Sequence, residues 1–184
     1  EGKSMFAPFP ERAPVAREVL YSGKSGTQVE RLRSLIAKAE AGRMGYDAVQ
    51  YGATVRPSKR PTNMTIAEIY KWIKDTPGQP HAIGRYQFIP PTLRSLVKRL
   101  GVSHDTVFSP RIQDQLGDIL LVEAGLMEMN KGKMSRHTFM NNLAKIWAGL
   151  PNSSGKSHYH GYAGNKATMT WASFDRQMQS IFPG

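Results

Sequence analysis

The stretch RLRSLIAKAEAGRMGYDAVQYGA, residues 31–53, contains the end of one predicted helix and the start of an irregular segment. Four apolar residues recur there at the spacing of one helical face: Leu32, Leu35, Ile36 and Ala39. Gly42 follows as a C-terminal stop signal. Glu40 lies in the last turn, where the negative end of the helix dipole disfavours a carboxylate. The chain has only 14 acidic residues and a formal net charge of +11, so this acid requires an explanation.

The position of Glu40 on the helix suggests that its carboxyl group holds a proton. On a wheel with about 100° per residue, Glu40 lies about 80° from Leu32 and borders the buried face. Partial burial and the helix dipole both raise the pKa of a carboxyl group. An acid that is still protonated near neutral pH can donate to a leaving oxygen, as a glycosidase requires. The structural alternative is a solvated helix-end Glu that pairs with Arg43.

Length and composition indicate a globular protein rather than a disordered or membrane-spanning one. The 184 residues are 40% hydrophobic and 21% charged, which fits one domain with a core. No apolar run approaches the ~18 residues that a membrane span needs. Cysteine is absent, so disulfides and thiolate metal sites are excluded while the compartment stays open. The first residues lack the basic-then-apolar pattern of a secretory signal.

Turn and capping signals divide the chain into an arm and one domain. Residues 1–26 are rich in Pro, Gly and Ser and predict an N-terminal arm, and residues 27–184 predict the folded domain. Helix starts are indicated at these positions: Thr27, Thr65, Pro91, Ser109-Pro110 and Ser135. A last helix is predicted from the apolar residues Trp171, Phe174, Met178 and Ile181. Residues 43–63 predict one or two short strands. The sum is a mainly α protein of the α+β class, with five or six helices.

Residues 151–168, PNSSGKSHYHGYAGNKAT, predict a long polar loop of the kind that often carries function. The SSGKS within it is not a phosphate loop, because Gly149 has the wrong spacing and a helix precedes it. His158 and His160 lack a third ligand nearby, so no metal site is expected. No cofactor is predicted.

Four short motifs follow one another along the chain: AEAG at 39–42, GYD at 45–47, GRYQ at 84–87 and IWAGLP at 146–151. Together they resemble the lambda-type phage endolysins of the lysozyme superfamily, from Glu40 to about Tyr162. The resemblance implies a lysozyme-like fold, with an active cleft between a helical lobe and a small β lobe. It also implies cleavage of the β-1,4 bond between N-acetylmuramic acid and N-acetylglucosamine in peptidoglycan. The chain departs from the family pattern in its arm, in Ala41 and in its His-rich loop.

The resemblance also assigns roles to individual residues. Glu40 would be the general acid, and Asp47 would lie on the β side of the cleft. Further residues would line the site: Tyr46, Tyr86, Gln87 and Tyr162, with Tyr159 as the rival of Tyr162. His81 stands just before the GRYQ motif and is either a sugar contact or a surface residue. These residue types suit a sugar, because amides pair with its hydroxyl and N-acetyl groups and aromatic rings pack on its apolar faces.

Two reactions share the first protonation step, and the sequence leaves both open. A hydrolytic muramidase uses a second carboxylate, which requires the carboxyl groups of Glu40 and Asp47 to lie about 5 to 9.5 Å apart. In a lytic transglycosylase the 6-hydroxyl of muramic acid attacks, and one Glu serves as acid and then as base. An Asp47 that turns away to bond the backbone would favour the second route.

Two other functions compete with an enzyme. The first is an inactive lysozyme-like module that binds the cell wall. The second is a nucleic-acid binder, which the scattered basic residues disfavour because they form no continuous tract. A pI near 10 suits an anionic wall polymer. We therefore expect a monomer that acts on peptidoglycan in the periplasm or outside the cell, with a phage lysin as one origin, and no nucleic-acid partner.

Overall fold

The computed structural model describes residues 23–162 and 164–184. Their contacts divide them into two compact units. One unit is Ala41–Gly117, and the other comprises the first helix, Gly23–Glu40, and Asp118–Gly184. The predicted arm falls outside the described residues as far as residue 22, so the boundary between arm and domain remains a prediction.

The described part of the chain is mainly helical, which confirms the mainly α part of the predicted α+β class. Seven α-helices follow one another: α1 (Gly23–Glu40), α2 (Ile66–Asp75), α3 (Pro90–Leu100), α4 (Pro110–Ala124), α5 (Leu126–Asn130), α6 (Arg136–Ile146) and α7 (Trp171–Ile181). Gly42–Asp47 and Pro61–Asn63 form 3₁₀ helices. The sequence predicted six of the α-helices and missed α5, which has only 5 residues. Among the described residues, no helix is long and apolar enough to cross a membrane.

Local capping explains most of the helix ends. Thr65 accepts the Glu68 N–H at 3.1 Å, and the Glu68 carboxylate accepts the Thr65 N–H at 3.0 Å, so the predicted capping box of α2 is formed. Ser135 caps α6 as predicted. Gly101 ends α3 with a φ of 75°, a left-handed conformation that glycine adopts without strain. Thr27 differs, because α1 begins at Gly23 and Thr27 lies inside the helix.

The strands predicted between residues 43 and 63 are replaced by the two 3₁₀ helices and an isolated bridge. Gly42 and Gly45 both have positive φ, at 57° and 55°, and coil the chain where an extended run was expected. Among the described residues, β pairing is limited to isolated bridges: Val49 with Ile83, Ile83 with Phe88, Thr65 with Val107, and Pro151 with Ser157. The structure therefore contains the pairing of a rudimentary hairpin around the GRYQ turn rather than a β lobe built from a sheet.

In the unit that contains Glu40, α1 supplies the central buried face. The four apolar residues predicted to face inward are all at most 7% exposed: Leu32, Leu35, Ile36 and Ala39. Each fully buried Leu or Ile stabilises the fold by about 1.5–3 kcal/mol. The side chain of Gln28 also donates to the carbonyl of Ile181 at 3.0 Å, which ties α1 to α7. The packing of α1 thus fixes where its last residue, Glu40, lies.

Candidate active site

Glu40 is the last residue of α1, and its side chain is half-buried. Its Oε1 accepts the backbone N–H of Gly149 at 2.9 Å. Burial raises the pKa of Glu40 from 4.5 to about 7, and the Gly149 hydrogen bond offsets part of that rise. Glu40 forms no ion pair with any residue that the structure describes. Near neutral pH, this carboxyl group is therefore protonated in a large fraction of molecules.

Gly149 lies in the IWAGLP segment, directly after α6. The Trp147 N–H donates to the carbonyl of Leu143, and the Leu150 N–H donates to the carbonyl of Trp147. Trp147 and Leu150 are buried and hold the segment in place. A Cβ on residue 149 would lie 2.7 Å from the Ala39 carbonyl oxygen and 2.9 Å from Glu40 Oε1. Only glycine allows the backbone to approach the carboxyl group this closely.

Asp47 ends the 3₁₀ helix Gly42–Asp47 and is also half-buried. Its Oδ1 accepts the backbone N–H of Thr62 at 3.0 Å. One carboxylate oxygen of the predicted second acid is thus used to hold the loop before α2. This is the arrangement that the sequence analysis associated with a single-acid mechanism.

Four polar side chains form a network within the unit Ala41–Gly117. The hydroxyl of Tyr46 lies 3.0 Å from both carboxylate oxygens of Asp114, and the hydroxyl of Tyr86 lies 2.5 Å from Oδ1. Arg85 Nη1 donates to Tyr46 at 3.0 Å, to Tyr86 at 3.1 Å and to Asp114 at 3.3 Å. Burial, followed by the Asp114 charge, places the pKa of Tyr86 far above its usual value. The network stabilises the GYD and GRYQ motifs against each other.

Tyr86 and His81 do not fit their predicted roles. Tyr86 is 2% exposed, so its ring is not accessible to a sugar, and its hydroxyl belongs to the Asp114 network instead. His81 is also 2% exposed, which excludes both the sugar contact and the surface residue that we expected. Its Nε2 lies 2.9 Å from the Thr76 carbonyl oxygen, and its ring packs edge-on against Trp72. Sequence alone cannot distinguish a buried, hydrogen-bonded polar ring from an exposed one.

The ring of Tyr46 is half-buried and stacks with the Arg85 guanidinium, whose carbon lies 4.9 Å from the ring centroid.

Gln87 combines a half-buried side chain with an unusual backbone. Its φ is 48°, the only positive value at a non-glycine residue among those described. Its amide nitrogen donates to the carbonyl of Gly84 at 2.9 Å, across the GRYQ turn. Such a conformation costs about 1–3 kcal/mol and is concentrated at functional sites. The backbone strain is consistent with the predicted contact role of Gln87.

The two tyrosines of the loop, Tyr159 and Tyr162, differ in how accessible their side chains are to a ligand. The hydroxyl of Tyr159 donates to the carbonyl of Lys145 at 2.6 Å, and burial raises its pKa. Tyr162 is 45% exposed. The Tyr162 N–H donates to the Tyr159 carbonyl, and the Asn165 amide donates to the Tyr162 carbonyl at 2.6 Å. Tyr162 thus combines a hydrogen-bonded backbone with an exposed ring. Its side chain fits the role of a ligand contact better than the side chain of Tyr159 does.

Gly149 and Thr168 contact the end of α1 around Glu40, and the sequence analysis assigned neither of them to the candidate site. Both approach the end of α1 from distant parts of the chain, and Thr168 Oγ1 lies 3.3 Å from the Ala39 carbonyl oxygen. The quoted IWAGLP motif contained the signal for Gly149, because a glycine inside a buried turn often marks a close approach. Nothing local indicated Thr168. In the described residues, no group of three His, Asp or Glu side chains is arranged to hold a metal ion.

A half-buried carboxyl group with a strongly raised pKa makes Glu40 a candidate functional residue. A family model described as Endolysin matches residues 34–175, and the chain belongs to this family. It is therefore a phage endolysin, a peptidoglycan-degrading enzyme that acts on the cell wall. Comparisons with curated proteins and with solved structures gave no significant match.

Proposed function

We propose that this endolysin is a glycosidase that cleaves the β-1,4 bond between N-acetylmuramic acid and N-acetylglucosamine, with Glu40 as the general acid. The proposal depends on the environment of the Glu40 carboxyl group. The group is half-buried, accepts a hydrogen bond from the Gly149 N–H and forms no ion pair with any described residue. A group in this environment keeps its proton near neutral pH, where an ordinary Glu has lost it.

The hydrogen bond from Gly149 also indicates which oxygen donates. Oε1 accepts the N–H at 2.9 Å and acts as the carbonyl oxygen of the protonated acid. The proton then resides on Oε2, which delivers it to the glycosidic oxygen as the C1–O bond breaks. The sugar that keeps C1 becomes an oxocarbenium-like species, and the other sugar leaves as an alcohol.

For the second step we propose lytic transglycosylation. Asp47 Oδ1 is bonded to the Thr62 N–H at 3.0 Å, and this favours a mechanism in which Asp47 does not activate water. Glu40, now a carboxylate, removes the proton from the 6-hydroxyl of muramic acid, and O6 forms the new bond to C1. The product is a 1,6-anhydro sugar and no water is consumed. Glu40 ends the cycle protonated, ready for the next bond.

Gln87 and Tyr162 are the proposed sugar contacts. An amide at a strained, fixed position can pair with both a donor and an acceptor of an N-acetyl group. The exposed ring of Tyr162 offers an apolar face to a pyranose. We propose that Tyr46 acts through its hydrogen bond with Arg85 rather than by stacking on a sugar.

The test is mass spectrometry of peptidoglycan digested with the wild type, Glu40→Gln and Asp47→Asn. We expect anhydro ends from the wild type, no cleavage by Glu40→Gln, and anhydro ends still from Asp47→Asn. Asp105→Asn changes an exposed carboxylate and is the matched control. Full lysis by Glu40→Gln would refute the acid role. Reducing ends on muramic acid, abolished by Asp47→Asn, would establish the two-acid hydrolysis instead. An amidase or peptidase would leave every glycosidic bond intact.

A further inference from the structure

Thr168 contacts the two backbone segments that surround the Glu40 carboxyl group. The Thr168 N–H donates to the carbonyl oxygen of Gly149 at 2.8 Å. Its hydroxyl oxygen lies 3.0 Å from the same oxygen and 3.3 Å from the carbonyl oxygen of Ala39. One residue at the end of the long loop therefore joins the last turn of α1 to the glycine that binds Glu40.

The carbonyl groups of Ala39 and Gly149 differ in the hydrogen-bond donors available to them. The last four carbonyls of an α-helix lack intrahelical donors, and Ala39 belongs to that group in α1. The Gly149 carbonyl already accepts the Thr168 N–H. A hydroxyl has one proton to share between the two carbonyls, so it bridges the segments instead of satisfying either one alone.

We propose that Thr168 is a positioning residue for the acid: it holds Gly149 against the end of α1 and thereby keeps the Gly149 N–H on Oε1 of Glu40. This inference rests on the proposed role of Glu40. The fit is tight, because a single added Cβ on Gly149 would collide with both Ala39 and Glu40. The hydrogen bond to Oε1 therefore requires the backbone of residue 149 to stay against the end of α1.

Loss of the bridge has two consequences that can be measured. The proton is no longer confined to Oε2, so fewer molecules present it to the glycosidic oxygen. The carboxylate also loses a donor that lowers its pKa, and the pKa of Glu40 rises further above 7. The charged groups on these segments are Lys38, Lys145 and Lys166, which are exposed.

The experiment compares Thr168→Val, Thr168→Ser and Thr170→Val. Valine keeps the shape of threonine without its hydroxyl group, and serine keeps the hydroxyl group. Thr168 is exposed, so neither change leaves a large cavity. Thr170 is the N-cap of α7, and its hydroxyl accepts the Ser173 N–H at 3.1 Å. It therefore reports the effect of losing a structural hydroxyl two residues away.

Two readouts are taken on each variant: the pH profile of peptidoglycan cleavage and the NMR titration of the Glu40 carboxyl carbon. We expect Thr168→Val to lower the rate about 10- to 100-fold, the size of effect that a misplaced catalytic group produces. Its alkaline limb and the Glu40 titration should both move to higher pH, and Thr168→Ser should restore them. Thr170→Val should lower the melting temperature without moving either titration.

The proposal is overturned if Thr168→Val leaves the Glu40 titration unchanged, or if Thr170→Val shifts it equally. The NMR readout does not depend on activity, so it tests the positioning role even if the acid role fails. Full lysis by Glu40→Gln would defeat the acid role alone, which keeps the two failures distinguishable.

Discussion

Burial raises the pKa of the Glu40 carboxyl group and a backbone hydrogen bond lowers it, and both effects depend on the glycine at position 149. Its lack of a side chain lets the backbone cover the carboxyl group, and its N–H partly compensates the burial. We predict that Gly149→Ala reduces lysis at least about 100-fold, because the methyl group displaces the carboxyl. Turbidity loss of a wall suspension measures this, with the exposed Ser154→Ala in the following loop as control. An alanine variant with wild-type lysis would contradict the close fit.

The raised pKa of Glu40 also predicts a stability that depends on pH. The folded state binds the Glu40 proton more tightly than the unfolded state, with pKa values of about 7 and 4.5. This contribution is complete below about pH 4.5, and stability declines as the pH rises through about 7. The shift corresponds to about 3 kcal/mol.

Glu40→Gln removes that ionisation. We therefore expect the variant to be more stable than the wild type at about pH 8, by up to about 3 kcal/mol, and similar to it at about pH 4. Denaturant unfolding at both pH values measures the difference. An equal effect at the two pH values would show that ionisation of Glu40 is not its source.

Residue by residue, the sequence predicts a site position when the signal is local. The raised pKa of Glu40 could be predicted because its position on the edge of the buried face is a property of α1 alone, and its catalytic role stays a prediction. Thr168 was missed because its contact with Ala39 joins residues 129 positions apart. Tyr86 and His81 were misjudged for a related reason: a polar ring is compatible with either burial or exposure, and only the packing decides between them.

Among the secondary structure elements, the helices followed from capping and periodicity, and the strands did not. The capping box of α2 and the Ser135 cap of α6 each depend on residues three positions apart. A strand depends on a partner elsewhere in the chain, and the partner of Val49 is Ile83. Gly42 and Gly45 adopt positive φ values, and the segment Gly42–Asp47 forms a 3₁₀ helix instead of an extended strand.

A buried ion pair connects α1 to α4 within the Glu40 unit, and its energetics can be tested. Arg33 Nε and Nη2 donate to the two oxygens of Asp118 at 2.8 and 2.7 Å, with both side chains 4% exposed. Removing Asp118 takes away the buried partner of Arg33 and leaves the guanidinium beside the exposed Glu30 carboxylate, 3.2 Å from Nη1, whose attraction solvent screens. We predict that Asp118→Leu destabilises the protein by about 3–5 kcal/mol, and that adding Arg33→Met recovers most of this loss.

The matched control for that pair is exposed. Lys71 and Asp75 are four residues apart on α2, with side chains 76% and 49% exposed. Asp75→Asn should change stability by no more than about 0.5 kcal/mol. Thermal unfolding of the three variants separates the two cases. A double variant as unstable as Asp118→Leu would show that packing around the leucine, and not the loss of the buried partner of Arg33, causes the instability.

At the scale of the whole molecule, the net charge of +11 is a property that no single site explains. Bacterial walls carry anionic polymers, and a positive surface raises the rate at which the enzyme meets them. The effect is long-ranged only when salt is low, since the Debye length falls from about 30 Å at 0.01 M to about 10 Å at 0.1 M. Salt should therefore slow encounter more than it changes the chemical step.

We predict that lysis of walls rich in anionic polymer slows about tenfold over that salt range, while lysis of the same walls stripped of the polymer changes little. The triple variant Arg56→Gln, Arg60→Gln and Lys74→Gln removes three exposed charges. It should lower the rate on intact walls at low salt and weaken the salt dependence. On stripped walls it should match the wild type, because the Glu40 chemistry is untouched. Equal salt dependence on both kinds of wall would show that salt acts on the protein itself and not on its attraction to the polymer.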